Sequence, residues 1–111
     1  MDILFAEADL QRACTTHKVA QKQWGAKNAK VLGRRLDDLR AVANLFGMFS
    51  LPGKCHPLQR QHAGRYAIAL DGGYRLVIEP ANEPLPRTPD GGLDTRGVTV
   101  IRVVAVEDYH D

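Results

Sequence analysis

The hydrophobic pattern of this chain changes period once, at Pro52-Gly53, and that change restricts the folds open to it. Before the turn, apolar residues recur at helical spacing. From Asp9 onward Leu10, Ala13, Cys14, His17 and Trp24 form one run, which Gly25 interrupts. Leu32, Leu36, Leu39 and Ala43 form a second, at i, i+4, i+7 and i+11, with Lys30, Arg34, Arg35, Asp37, Asp38 and Arg40 on the other faces. After the turn the runs are β-like. Residues 66–70 and 74–79 flank Asp71-Gly72-Gly73, a hairpin signal because Gly and Asp tolerate the positive φ of tight turns. Pro80 closes that strand, and residues 98–107 are apolar enough for an interior strand. Ile3-Leu4-Phe5 reads as a short opening strand. Helices first and strands after predict an α+β domain, an N-terminal helical hairpin packed on one face of a small antiparallel sheet.

With 111 residues, 44% of them apolar and 25% charged, the chain is expected to form one domain, residues 1–111, around one core. Its longest apolar stretch, residues 98–106, is broken by Thr99 and Arg102 and is too short to span a membrane. The first residues lack the basic head and long apolar region of a signal peptide, so a cytoplasmic protein without a membrane partner is expected. Cys14 and Cys55 have neither metal-motif spacing nor the density of a secreted framework, and read as buried thiols. Net charge is only +2, but residues 1–60 carry ten Lys/Arg against five Asp/Glu, and residues 61–111 carry five against eight. The basic half is suited to phosphate, and Lys27, Lys30 and Arg34 form a ridge on the second helix as a candidate RNA contact. A solvated helix face gives the same count. The loop of residues 80–97, rich in Pro, Gly and Asp, is long and acidic.

His56, Arg75, Tyr109 and His110, with Asp108 beside them, stand out as an RNA-cleaving set. Such cleavage needs a base for the ribose 2′-hydroxyl, an acid for the leaving oxygen and a cation for the phosphate. Histidine serves either proton role near neutral pH, and the arginine guanidinium stays charged and engages two phosphate oxygens.

His56-Pro57-Leu58, then Gly64 and Tyr66, then Tyr74-Arg75-Leu76-Val77-Ile78, then Glu107-Asp108-Tyr109-His110, resemble in order and spacing the HigB toxins of the RelE/ParE superfamily. The resemblance implies a RelE/ParE-like fold and a type II toxin that cleaves messenger RNA on the translating ribosome without cofactor or metal. A helix-turn-helix antitoxin, HigA-like, would neutralise it in a hetero-oligomeric complex. Matched position by position, it implies catalytic roles for His56, Arg75, Asp108, Tyr109 and His110. Where many HigB sequences follow His-Pro-Leu with Lys-Gly-Asp-Arg, this chain has Gln59-Arg60-Gln61-His62. The cation of the first position is absent, and Arg60 and His62 are the candidate substitutes for RNA binding.

Each residue also has an ordinary reading. His56 would be a turn histidine, Tyr109-His110 a terminal segment, and Arg75 a cross-strand partner of Glu79 or Glu107. His17 and Trp24 read as core. A zinc site from Cys55, His56, His62 and His110 matches no ligand spacing. Two other functions stand beside the ribonuclease: a ParE-like poison of DNA gyrase, and a degenerate module kept for antitoxin binding.

Overall fold

Pro52 and Gly53 turn the chain from the helical layer into the sheet, and the surroundings of Gly53 show why glycine stands there. In the computed structural model, which describes residues 1–109, Gly53 has φ +104°. A Cβ would fall 2.5 Å from Ile68 Cγ2 and 2.8 Å from Arg35 Nε. The Gly53 carbonyl accepts from Ala69 N at 2.7 Å, and Arg35 Nε donates to Ala69 O at 3.0 Å. Gly53→Ala is therefore expected to cost about 2–4 kcal/mol through strained backbone and overpacking, read as a lower urea midpoint at unchanged slope.

Strand β1 (Asp2–Phe5) is followed by α1 (Ala8–Thr15), α2 (His17–Trp24) and α3 (Ala26–Ala41), then a 3₁₀ turn over Leu45–Ser50. The β half comprises β2 (His56–Pro57), a 3₁₀ turn over Arg60–His62, β3 (Tyr66–Ala69), β4 (Tyr74–Pro80) and β5 (Val100–Asp108). The sheet order is β1-β5-β4-β3-β2. Its pairs are antiparallel except β1 with β5, which run parallel, so the sheet is mixed rather than antiparallel throughout. The reason is topological: β2 to β5 alternate in direction as a meander, whereas β1, separated from them in sequence by the helices, adds beside β5 at the sheet edge in the same direction as β5.

The expected two-helix hairpin is also corrected, because the first helix is two. Thr16 is extended (φ −114°, ψ 109°), capping α1 through its N–H to Arg12 O and opening α2 through its carbonyl to Ala20 N. The Thr15 hydroxyl bonds back to Gln11 O at 2.7 Å. Two adjacent β-branched hydroxyl residues offer the backbone this alternative to a continuous helix. The break leaves His17 exposed at the start of α2 rather than in the core, while Trp24 packs half-buried against it. In α3, Leu32, Leu36 and Leu39 are buried as the stripe predicts, but Ala43 lies exposed beyond the helix end.

These leucines, with Leu45 and Met48, cover one sheet face through Tyr66, Ile68, Leu76, Ile78, Ile101 and Val103. Alternation along the strands sends their neighbours to the opposite face. There Ala67 opposes His56 and Val77, and Ala69 opposes Arg75, which opposes Glu107. The register shifts after Val77, whose partner is Ala105 while Ile78 pairs with Val103, so Val104 is the extra residue of a bulge. Gly72 (φ +63°) and Gly73 (φ +84°) make the β3–β4 turn expected of Asp71-Gly72-Gly73. The 80–97 loop is tied down: Asn82 accepts from Thr99 N and Val100 N, Asp94 N donates to Pro86 O, and Phe46 N donates to Thr95 O. Among the described residues no helix is long and apolar enough to cross a membrane.

Candidate active site

The face opposite the helices carries a cleft of about 420 Å³ whose lining includes His56, Gln59, Arg60, His62, Arg75 and Tyr109. His56 reaches it because β2 pairs with β3, setting His56 across from Ala67. Its ring Nδ1 lies 2.8 Å from Lys54 O. A carbonyl can only accept, so Nδ1 carries the proton and Nε2 is the nitrogen available for chemistry. Lys54 (φ +50°) and Arg60 (φ +58°) hold left-handed backbone on either side of the His56-Pro57-Leu58 segment. Non-glycine residues adopt that conformation at a cost of order 1 kcal/mol, and such positions concentrate at functional sites.

Arg75 is the least exposed charged group of the cleft, its side chain 11% accessible. Its Nε donates to Glu107 Oε1 at 3.1 Å, and the Tyr109 ring lies over the guanidinium, 3.9 Å from carbon to ring centroid. Tyr109 is 53% exposed, and its backbone N–H donates to Gly73 O at 2.7 Å, fixing Tyr109 against the hairpin. Glu107 fixes one edge of the guanidinium and Tyr109 one face. Among the described residues the guanidinium makes no other hydrogen bond, which leaves its η amino groups to an anion in the cleft. A second, smaller hollow of about 260 Å³ shares His56, Arg75 and Tyr109, with Ala67, Ala69 and Tyr74 making it more apolar.

Of the ten residues picked out by sequence, the structure brings five into one cleft: His56, Arg60, His62, Arg75 and Tyr109. Asp108 ends β5 opposite Tyr74, exposed. His110 lies outside the described residues. The basic ridge is elsewhere: Lys27, Lys30 and Arg34 are exposed on α3, and Lys27 pairs with Asp71 at 3.3 Å. None of the three lines the cleft. Two participants have no motif of their own, the Lys54 carbonyl that orients His56 and the Gln59 side of the cleft wall. Glu107 was legible as a partner of Arg75, since the two face one another once β4 and β5 pair.

Cys14 and Cys55 are free and buried, and burial pushes their thiols up to about 11 and about 12. Burial, and then Cys55, also raise the Tyr66 hydroxyl. Well below pH 9, the ordinary thiol value, both groups are almost entirely protonated whether folded or not. Above it the unfolded chain releases protons that the folded chain keeps, so stability falls as pH rises, by about 1.4 kcal/mol per pH unit for each thiol until the folded group titrates. Chemical unfolding at pH 8 and pH 10 checks this. Iodoacetamide at pH 8 is expected to leave both cysteines unmodified until denaturant is added.

No family model matches the chain, and no curated protein matches it in sequence. Solved structures do match it in shape. A YoeB/ParE toxin from Agrobacterium tumefaciens superposes with TM-score 0.62 at 11% identity, over 99% of this chain and 100% of that one. The fold is that of the YoeB/ParE toxins. The YoeB-YefM complex from Staphylococcus aureus matches with TM-score 0.59 at 17% identity, and the YoeB dimer from the same organism with 0.55 at 19%. Both cover 100% of this chain and 98% of theirs. The mixed five-stranded sheet is thus an architecture that toxins use, and its open face carries the cleft described above.

Proposed function

We propose that this protein is the toxin of a type II toxin-antitoxin pair, of the HigB branch, and that it cleaves messenger RNA on the ribosome in the cytoplasm. One observation carries the reading: on a YoeB/ParE toxin fold, His56, Arg75 and Tyr109 line one cleft on the open sheet face. In this mechanism a histidine removes the 2′-hydroxyl proton of the ribose. The freed O2′ attacks the adjacent phosphorus and the P–O5′ bond breaks. A second histidine returns a proton to O5′, leaving a 2′,3′-cyclic phosphate and a 5′-hydroxyl. His56, with Nε2 free, and His110, which enters from the sequence resemblance, share the two proton transfers. Arg75 holds the phosphate, Tyr109 stacks on a splayed nucleotide, and Asp108 orients a neighbouring histidine. Arg60 or His62, both in the cleft wall, takes the RNA-binding place that Gln59 leaves without a cation. Lys27, Lys30 and Arg34 meet phosphate outside the cleft. The chemistry calls for no cofactor.

A neutralising partner of helix-turn-helix type follows from the same reading. Its support is a solved Staphylococcus aureus YoeB-YefM toxin-antitoxin complex, described as heterotetrameric. The test is induction in cells without antitoxin and mapping of transcript ends. Growth arrest with new 5′-hydroxyl ends inside coding regions is the expected result. Double-strand DNA breaks with intact transcripts would instead indicate a gyrase poison, and unimpaired growth a degenerate binding module.

A further inference from the structure

We infer that the hollow between the Arg60–His62 turn and the 80–97 loop is a second nucleotide subsite, holding a phosphate and base of the same RNA strand next to the cleavage position. The inference rests on the ribonuclease reading and adds to it a second contact with the substrate. The hollow encloses about 480 Å³, within the range of roughly 300–1,000 Å³ common for small-molecule sites. Gln61 lines both it and the catalytic cleft, so the two are continuous along the open face.

Its charge suits a phosphodiester. Arg65 and Arg87 line it, with one carboxylate, Glu79, between the strands. Arg102 Nη1 already holds Glu79 Oε2 at 2.8 Å, whereas Arg65 Nε is 3.5 Å from Oε1 and its side chain is 44% exposed. Arg65 is thus loosely paired, and Arg87 is exposed with no ion pair among the described residues. Guanidiniums so placed gain more from a phosphate than from their present partners. The remaining wall, Leu85 and Leu93, is half-buried and apolar, a surface on which a base of any identity can lie.

The loop's own acids do not oppose this. Asp90 accepts from the Thr88 hydroxyl and Gly92 N, contacts that hold its carboxyl below the usual range, and Asp94 accepts from Arg96 N. Neither lines the hollow, nor does Glu83, the loop's third acid. The loop therefore presents Leu85, Arg87 and Leu93 to the open face while Asp90 and Asp94 are engaged within the loop.

The test uses the full chain and 2′-O-methyl oligouridylates, which cannot be cleaved, in fluorescence anisotropy at low salt. The six-nucleotide oligomer is expected to bind at least tenfold tighter than the dinucleotide. The Arg65→Ala/Arg87→Ala double variant should lose that gain while binding the dinucleotide like wild type, with an unchanged thermal midpoint. Its salt slope for the longer oligomer should fall by about 0.7 for each phosphate that the variant no longer neutralises. Equal binding of both oligomers to wild type, or a length-dependent gain that survives in the double variant, overturns the subsite. So does a variant that keeps the gain but loses a glutamate-rich decapeptide, which would make the hollow a protein-docking surface. Failure of the ribonuclease reading itself would show separately, as intact transcripts after induction of the wild type.

Discussion

Replacing His56 with alanine is expected to lower messenger RNA cleavage on programmed ribosomes by about 10²- to 10⁴-fold, the usual contribution of one general acid or base. Folding stability should change by no more than about 0.5 kcal/mol, because His56 is exposed on a two-residue strand and its ring makes one hydrogen bond among the described residues, to Lys54 O. His56→Asn sharpens the test. An asparagine amide can reproduce the Nδ1–H donation to Lys54 O but offers no nitrogen that exchanges a proton in place of Nε2. It should therefore be as inactive as alanine. If His56 only braced the turn, asparagine would restore cleavage. His110→Ala, measured beside it, separates the two proton roles: each variant should remove one limb of the pH-rate profile, and the limb that disappears names the acid or the base.

Particular residues show what the sequence could reveal. Leu32, Leu36 and Leu39 were legible because one turn of helix repeats every 3.6 residues, and that geometry is local. The hairpin was legible because Gly72 and Gly73 supply the positive φ its turn requires. The break at Thr16 was hidden because Ala13, Cys14 and Ala20 keep an apolar rhythm across it, while the competing Thr15 hydroxyl bond leaves no trace in a hydrophobic pattern. The parallel pairing of β1 is a relation between residues nearly a hundred positions apart, Asp2 with Val100, and four residues of strand do not name their partner. The candidate site divides along the same line. Residue types capable of RNA chemistry could be picked out singly. That Arg60 and His62 join His56 while Lys27, Lys30 and Arg34 do not depends on which sheet face the chain covers. In the 80–97 loop, composition counts carboxylates but does not reveal that Asp90 and Asp94 are engaged by their own loop.

Arg75→Ala is expected to reduce cleavage by about 10²- to 10³-fold, the usual loss when one donor to transition-state charge is removed. It should also destabilise the fold by roughly 1–3 kcal/mol. Breaking a fully buried pair costs about 3–5 kcal/mol, but the Glu107 side chain is 39% exposed and solvent recovers part of that. Arg75→Lys distinguishes charge from geometry. Lysine keeps the charge, but it presents neither the planar fork that Glu107 grips through Nε nor the flat face on which the Tyr109 ring lies at 3.9 Å. Cleavage by the lysine variant should therefore stay at least tenfold below wild type, even where its stability is largely restored. Glu107→Gln tests orientation alone: it keeps an acceptor for Nε but withdraws the opposing charge, so the guanidinium should remain stacked and cleavage should fall less than in Arg75→Lys. Single-turnover rates and chemical denaturation, measured on all three variants, check this order. Wild-type cleavage by Arg75→Lys would mean that the bracing by Glu107 and Tyr109 serves the fold and not the phosphate.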